Sequence, residues 1–408
     1  MITLQAILSS INGFFNVTTM TWVVVVVGTW QLLLAVRFLI KLRKESSAAE
    51  SVYAPPVSVV ISCKGASRHF ERNMLSFLAQ KYHGHYELIF VSPRTTDPAY
   101  LELQALLPGH PGVPWKLLSS EAVPVRCCEK AMNMLFALER ATAETEVFVF
   151  ADCDIRVPEN WLRSLVCRLG NPDTIAVTNP PVYVAHAAGM AQFFRMVWTS
   201  LLISYSATFP QVFCPAWAIR RKDFETLGVA ALWLRSAIDD LVVNGVLKKT
   251  GKRIELELKS IPVCWEDCDL GSVFAWFTKG FRWCRVYAFR VWVLGALGIL
   301  GKLYLWFWFL RMEQYPLLSL MVVVDMFALY LVFETYRRYA PQSVCSIAPS
   351  FIHYSLRAGL IAPLIPFLQL PCLLNSMWSR ELHWSGYTYY MHGPQKVDVR
   401  TINSGDSV

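Results

Sequence analysis

The sequence predicts an α/β domain, with a mainly parallel sheet and helices on both faces, joined to α-helical transmembrane segments. Three observations predict it. The chain of 408 residues is 54% hydrophobic and has a mean hydropathy of +0.37, too apolar for an ordinary soluble protein. The apolar residues concentrate at the two ends, while the block 55–283 has the mixed texture of a globular domain large enough to bury its own core. Inside that block, short apolar runs alternate with segments of helical spacing, the pattern of strand–helix–strand units.

Residues 1–20 form an N-terminal segment and residues 21–40 the first apolar run. Neither 22–27 nor 31–36 carries an acidic residue. The run is long for a signal peptide and no small-residue cleavage site follows, so it reads as an anchor. Lys41-Leu42-Arg43-Lys44 ends it, and the positive-inside rule puts that end in the cytosol. A polar linker runs to residue 54. Asn16-Val17-Thr18 is a glycosylation sequon, read as chance because it abuts the anchor.

Residues 55–273 make the globular domain. Strands are expected at 57–62, 86–91, 115–118 and 147–150, with helices at 70–80, 99–107 and 129–141 between them. Further on come a helix at 159–169, a strand near 175–177, a helix at 189–204, an irregular stretch at 210–218 and a helix from 222. Ile238-Asp239-Asp240-Leu241 then opens a helix running to about residue 250, and a strand follows at 253–258. Residues 274–290 are aromatic and cationic, suited to the headgroup layer. Residues 291–378 are a membrane region with spans at 291–310 and 317–333. Lys302 and Asp325 fall at membrane depth, where ionisable groups face the bundle interior, and they are possible partners. Arg337-Arg338 marks a cytosolic end. The last apolar stretch, 351–378, is broken by Pro363, Pro366 and Pro371 and reads as either one kinked span or a re-entrant hairpin. Residues 379–408 are a polar, aromatic tail.

The net charge of +8 has no dense basic run behind it, and Lys and Arg cluster beside apolar segments, so a membrane surface rather than nucleic acid is the expected partner. Eleven cysteines, an odd number scattered through apolar runs, do not make a disulfide framework and read as reduced thiols.

The chemistry concentrates at Asp152-Cys153-Asp154, which closes the fourth strand. Two carboxylates one residue apart can share a hard divalent cation such as Mg²⁺ or Mn²⁺, and such an ion neutralises a diphosphate leaving group. Lys64 and Asp97 also lie just past strand ends, where ligands collect on sheets of this kind. Each candidate has a commonplace reading alone. Asp-x-Asp is often a solvated strand end, Asp97 before Pro98 a turn residue, Asp240 a helix-opening acid, and Arg282-Trp283 an interfacial anchor. Their occurrence together and in order is what points to a site.

That ordered set (Asp97, Asp152-Cys153-Asp154, Asp240, then Lys279-Gly-Phe-Arg282-Trp283 before a span) resembles the family-2 glycosyltransferases, with their three separated aspartates and (Gln/Arg)-x-x-Arg-Trp box. Within them the chain is most similar to ceramide glucosyltransferase and its bacterial glycolipid relatives. Lys64-Gly65, the Asn73/Phe77 helix, Lys130 with Asn133, Ile155-Arg156-Val157 and Arg221-Lys222-Asp223 extend the likeness. The resemblance implies a GT-A-like nucleotide-sugar-binding domain facing the cytosol. It implies a hexose, glucose first, transferred with inversion from a UDP-sugar such as UDP-glucose to the hydroxyl of a membrane lipid such as ceramide, with Mn²⁺ or Mg²⁺ as cofactor. Carried over by position, Asp97 would hold the uracil or ribose side, Asp152 would support the nucleotide, and Asp154 would ligate the metal, with Asp152 beside it. Lys64 and Lys130 would contact the donor, and Asp240 would be the base. Arg282 would face the diphosphate and Trp283 would wall the acceptor site.

Four departures stand out. Lys279 occupies the Gln/Arg position, and Asp239 stands in place of the usual Glu. Pro215-Ala216-Trp217 replaces a Gly-containing segment, and Thr199-Ser200-Leu201-Leu202 lacks the His-Pro pair of animal ceramide enzymes. Two other functions are weighed. A processive polysaccharide synthase of the same family usually has more spans. A transporter would carry its polar groups within its spans, and a non-catalytic scaffold would have no use for the ordered carboxylates.

Overall fold

The computed structural model describes residues 16–46, 52–184, 189–212, 216–265, 267–339, 357 and 359–401. The expectations for the N-terminal segment, the linker, Pro215, the start of the 351–378 stretch and the end of the tail fall wholly or partly outside these residues.

Val57–Ser62 (β1) is a β-branched run buried on both faces, and it takes the interior position that such runs favour. It pairs in parallel with Tyr86–Ser92 (β2) and, on its other side, with Val147–Asp152 (β4), while Trp115–Ser119 (β3) extends the sheet beyond β2. Ile155–Arg156 (β5), Val182–Tyr183 (β7) and Val263–Cys264 (β10) form a small separate sheet just past the acidic turn. Thr174–Thr178 (β6), Ala216–Arg220 (β8) and Arg253–Leu256 (β9) complete the large sheet, whose order among the described residues is β3-β2-β1-β4-β8-β6-β9.

Strand β8 corrects the expectation of an irregular stretch at 210–218. It runs antiparallel between β4 and β6, with Ala216 opposite Ala151 and Trp217 opposite Phe150. Its first four residues are all buried, so no alternation of polar and apolar residues marks it as a strand. Tertiary packing decides it: the Trp217 ring packs against that of Phe150 at 4.8 Å.

The pleat sends alternate residues of β1 into two cores. Val59 and Ile61 meet the helices Phe70–Leu78, Pro98–Leu106 and Trp161–Val166, whereas Val60 meets the helix Glu129–Leu138 on the opposite face. Helices therefore cover both faces. The buried Ser58 hydroxyl is satisfied by Glu87 at 2.7 Å and Thr145 at 2.6 Å.

Four helices among the described residues are long and apolar enough to cross a membrane: Val17–Glu45, Phe289–Arg311, Tyr315–Tyr339 and Gly359–Trp378. Asn16, in the sequon, caps the first of them, its side-chain oxygen accepting from the Thr19 amide at 2.8 Å. The first and third lie so close that a Cβ on Gly28 would stand 3.0 Å from Val324. Lys302 and Asp325 do pair. Gln31, its amide nitrogen turned toward the carboxylate, adds contacts of 3.0 Å to Asp325 and 3.1 Å to Lys302. The third span ends beside the globular domain, with Tyr336 in one cluster with Leu258 and Ile261. The helix Ile365–Trp378 ends there too, because the chain after it packs on that domain. The third span and the helix Ile365–Trp378 therefore both end beside that domain.

The tail is not an independent segment. Glu381–Trp384 (β11), Tyr387–Gly393 (β12) and Lys396–Thr401 (β13) form an antiparallel sheet. Leu382, Tyr387, Tyr389, Met391 and Val397 join the same core as β4 and β8. Ser385 and Gly386 both have positive φ, as the two central positions of a tight hairpin turn require.

Candidate active site

The parallel arrangement of β1, β2 and β4 puts their carboxyl ends at one edge, and the acidic turn follows there. Strand β4 runs two residues further than expected, which brings Asp152 level with Ser62 at the end of β1. Asn73, on the Phe70–Leu78 helix, donates to the Cys153 carbonyl at 3.1 Å and fixes the turn between the two aspartates.

Lys130, on the Glu129–Leu138 helix, reaches Asp152 at 2.6 Å and Asp239 at 2.9 Å. It thus cross-links two acidic motifs that lie 87 residues apart, from Asp152 to Asp239. Burial alone would lower the Lys130 pKa, but the two carboxylates outweigh it and hold it well above the ordinary lysine range. Burial raises Asp152 in turn, and Lys130 opposes that rise. Asp240 follows Asp239 and lines the cavity beside it. Burial first, then the charge of Asp239, pushes its carboxyl up to about 8.

Lys64 pairs with Glu129 and donates to the Ser385 carbonyl at 2.6 Å. Asp97 caps the Pro98–Leu106 helix by accepting from Ala99 at 2.9 Å. The same oxygen accepts from the Gly65 amide at 2.8 Å, so Asp97 shapes the loop after β1 and does not itself line the cavity. Gly65 has a positive φ, a conformation that glycine adopts without strain. Trp283 does line the cavity. Arg282 does not: its guanidinium donates to the Glu381 carbonyl and to Asn375.

These residues surround a cavity of 1460 Å³ that holds Lys64, Lys130, Asp152, Asp154, Asp239, Asp240, Lys279 and Trp283. Its apolar continuation runs down into the membrane region past Val27, Gly295, Gly298 and Leu305, with Gln31, Lys302 and Asp325 on its wall. The structure thus brings Lys64, Lys130, Asp152, Asp154, Asp240 and Trp283 to one cavity and leaves Asp97 and Arg282 behind it. Sequence reading missed Glu129, Trp384 and Tyr389, which complete its walls. A signal for the last two exists, since Ser385-Gly386 lies between alternating apolar residues, the mark of a tight hairpin.

Asp152 and Asp154 supply carboxylate oxygens, the donors a hard divalent ion prefers. Among the described residues no group of three His, Cys, Asp or Glu is placed to hold a metal alone. An ion would therefore complete its shell with water and the oxygens of a bound diphosphate, so the donor set fits a metal that arrives with a nucleotide.

Among solved structures, a mannosyltransferase from Pyrobaculum calidifontis in complex with GDP-Man and Mn²⁺ is similar at 15% identity and a TM-score of 0.48. The match covers 88% of this chain and 99% of that one. GalNAc-T7 with UDP, GalNAc and Mn²⁺ is similar at 15% identity and a TM-score of 0.38, over 53% of this chain and 44% of that one. Among curated protein sequences none is significantly similar. The profile described as Glycosyl transferase family 21 matches residues 17–397, nearly the whole chain from the first span to the last strand. The chain with this sheet-edge site and these membrane helices belongs to glycosyl transferase family 21 and is a nucleotide-sugar-dependent glycosyltransferase.

Proposed function

We propose that the chain transfers a hexose, glucose first, from a UDP-sugar to the hydroxyl of a membrane lipid such as ceramide, with inversion, at the cytosolic face. The observation that carries this reading is the single cavity that joins the acidic cluster to the apolar interior of the spans. A soluble acceptor has no need of that apolar continuation, whereas a lipid leaves its chains there and presents its hydroxyl upward.

Asp240 is the base. It takes the proton from the acceptor hydroxyl as that oxygen bonds to the anomeric carbon, and the bond to the diphosphate breaks with its electron pair going to the leaving group. A single displacement needs one base, unlike the paired carboxylates of glycosidases. Asp154 and Asp152 would hold Mn²⁺ or Mg²⁺, which would supply positive charge to that leaving group. Lys130 keeps Asp152 and Asp239 in place, and Lys64 stands at the donor end. Lys41, Arg43 and Lys44 at the end of the first span support the cytosolic orientation.

The test is a reconstitution of the full chain in lipid vesicles with Mn²⁺, UDP-glucose and ceramide, followed by mass spectrometry and NMR of the product. A β-linked glucosylceramide from the α-linked donor is expected, and Asp240→Asn abolishes it while UDP still binds. A polymer product, or full activity in Asp240→Asn, overturns the reading.

A further inference from the structure

Lys279 and Arg282 lie one helical turn apart on the helix Leu270–Tyr287, and their side chains part company. The Arg282 guanidinium donates to the backbone carbonyl of Glu381, the first residue of β11, and to Asn375 Oδ1 at 2.6 Å. Both acceptors belong to the returning C-terminal segment, so this fork is committed to holding β11 against the helix. Lys279 lines the cavity with Asp152 and Asp240. Its ammonium lies 5.1 Å from the centre of the Trp283 ring and 5.4 Å from that of Trp384. The two indoles meet edge to face at 5.6 Å and form a cradle for it. Its positive charge is felt at Asp152, where it favours the ionised carboxylate.

We propose that Lys279, rather than Arg282, is the side chain that faces the leaving diphosphate, and that Arg282 is a positioning residue that clamps the hairpin bearing Trp384. This rests on the glycosyltransferase reading of the site. The leaving group gains charge as the bond to the anomeric carbon breaks and its electron pair passes to the diphosphate oxygen. A cation fixed at that place beforehand stabilises the charge without reorganising. An ammonium serves a phosphate as a point charge and does not require the fork geometry of a guanidinium. The same hairpin reaches the other end of the site, where the Ser385 carbonyl accepts from Lys64 and the Tyr387 ring lies 5.3 Å from that ammonium. One turn of the C-terminal sheet thus sets both lysines.

The experiment compares UDP with UMP binding, in the presence of Mn²⁺, to the full-length protein in detergent. The variants are Lys279→Ala, Lys279→Arg and Arg282→Ala. UMP lacks the β-phosphate and isolates the interaction. Lys279→Ala should weaken UDP binding by about tenfold or more, the scale of one charge-assisted hydrogen bond, and leave UMP binding within about twofold. Lys279→Arg should restore most of the UDP affinity. Arg282→Ala should keep the wild-type preference for UDP while hydrogen exchange quickens across residues 381–401. Thermal midpoints confirm that each variant is folded. Loss of the UDP preference in Arg282→Ala with its retention in Lys279→Ala overturns the assignment. A wild-type protein that binds neither nucleotide overturns instead the glycosyltransferase reading beneath it.

Discussion

Asp240 carries the most testable chemistry at the level of single residues. Its folded pKa of about 8 stands above the 3.8 of an ordinary aspartate, chiefly through burial and then through Asp239. The folded state therefore binds the proton more tightly than the unfolded one, and stability falls as pH rises from about 4 to about 8. Asp240→Asn removes this penalty. Its thermal midpoint should exceed that of the wild type most at pH 8 and above, and the two should converge near pH 4; a pH-independent difference would count against the burial of this charge. Activity runs the other way, because a base must be ionised to take a proton. The kcat/KM profile should rise through pH 7 and level off above about 8. Asp154→Ala is expected to abolish the Mn²⁺-dependent gain in UDP affinity while metal-free binding stays, as read by calorimetry. The motif residues were legible one by one, because Asp152, Asp154 and Asp240 sit at strand and helix ends that the local pattern marks. The ion pairs between them were not. Lys130 is 22 residues from Asp152 and 109 from Asp239 along the chain, and only the sheet and its covering helix bring the three groups together.

Among the elements, the C-terminal sheet has the largest consequence. Tyr389 is fully buried, and its hydroxyl accepts from the Glu129 amide at the start of a site helix. Tyr389→Ala should cost about 3–5 kcal/mol, as for other large buried aromatics. It should also reduce transfer, because Trp384 and Ser385 are carried on the same turn. A circular-dichroism melt and an activity assay on one preparation check both effects. Helix contact in the membrane offers a second case. Gly28→Leu pushes a side chain into Val324 on the facing span and should separate the first and third helices, lowering the thermal midpoint of the detergent-solubilised protein. Gly28→Ala meets only the far end of a valine and should be milder. Periodicity foretold most helices through their one apolar face, and continuous runs rich in β-branched and aromatic residues foretold the parallel strands. Neither signal marks β8, whose run Ala216-Trp217-Ala218-Ile219-Arg220 has a single β-branched residue and no alternation.

Across the whole molecule, the first span is bolted to the catalytic domain at one ionic joint. Arg168 reaches Glu45 at the end of that helix at 2.9 Å, Glu255 at 3.4 Å and Glu257 at 3.7 Å. Glu257 is fully buried and also accepts from Asn179 and Ser260. Arg168→Ala leaves three carboxylates facing one another and should cost about 3 kcal/mol or more. The loss should appear as a lower thermal midpoint together with lower activity toward lipid, because this joint ties the first span to the domain that carries the site. Local composition and spacing were enough for the α/β domain, the apolar ends and the acidic motifs, since each of these is written in a short window of residues. Two features needed the folded chain: that Lys279 rather than Arg282 lines the cavity, and that the tail closes over the site. Each depends on contacts between segments about a hundred or more residues apart, and the local periods of a strand or a helix encode no such contacts.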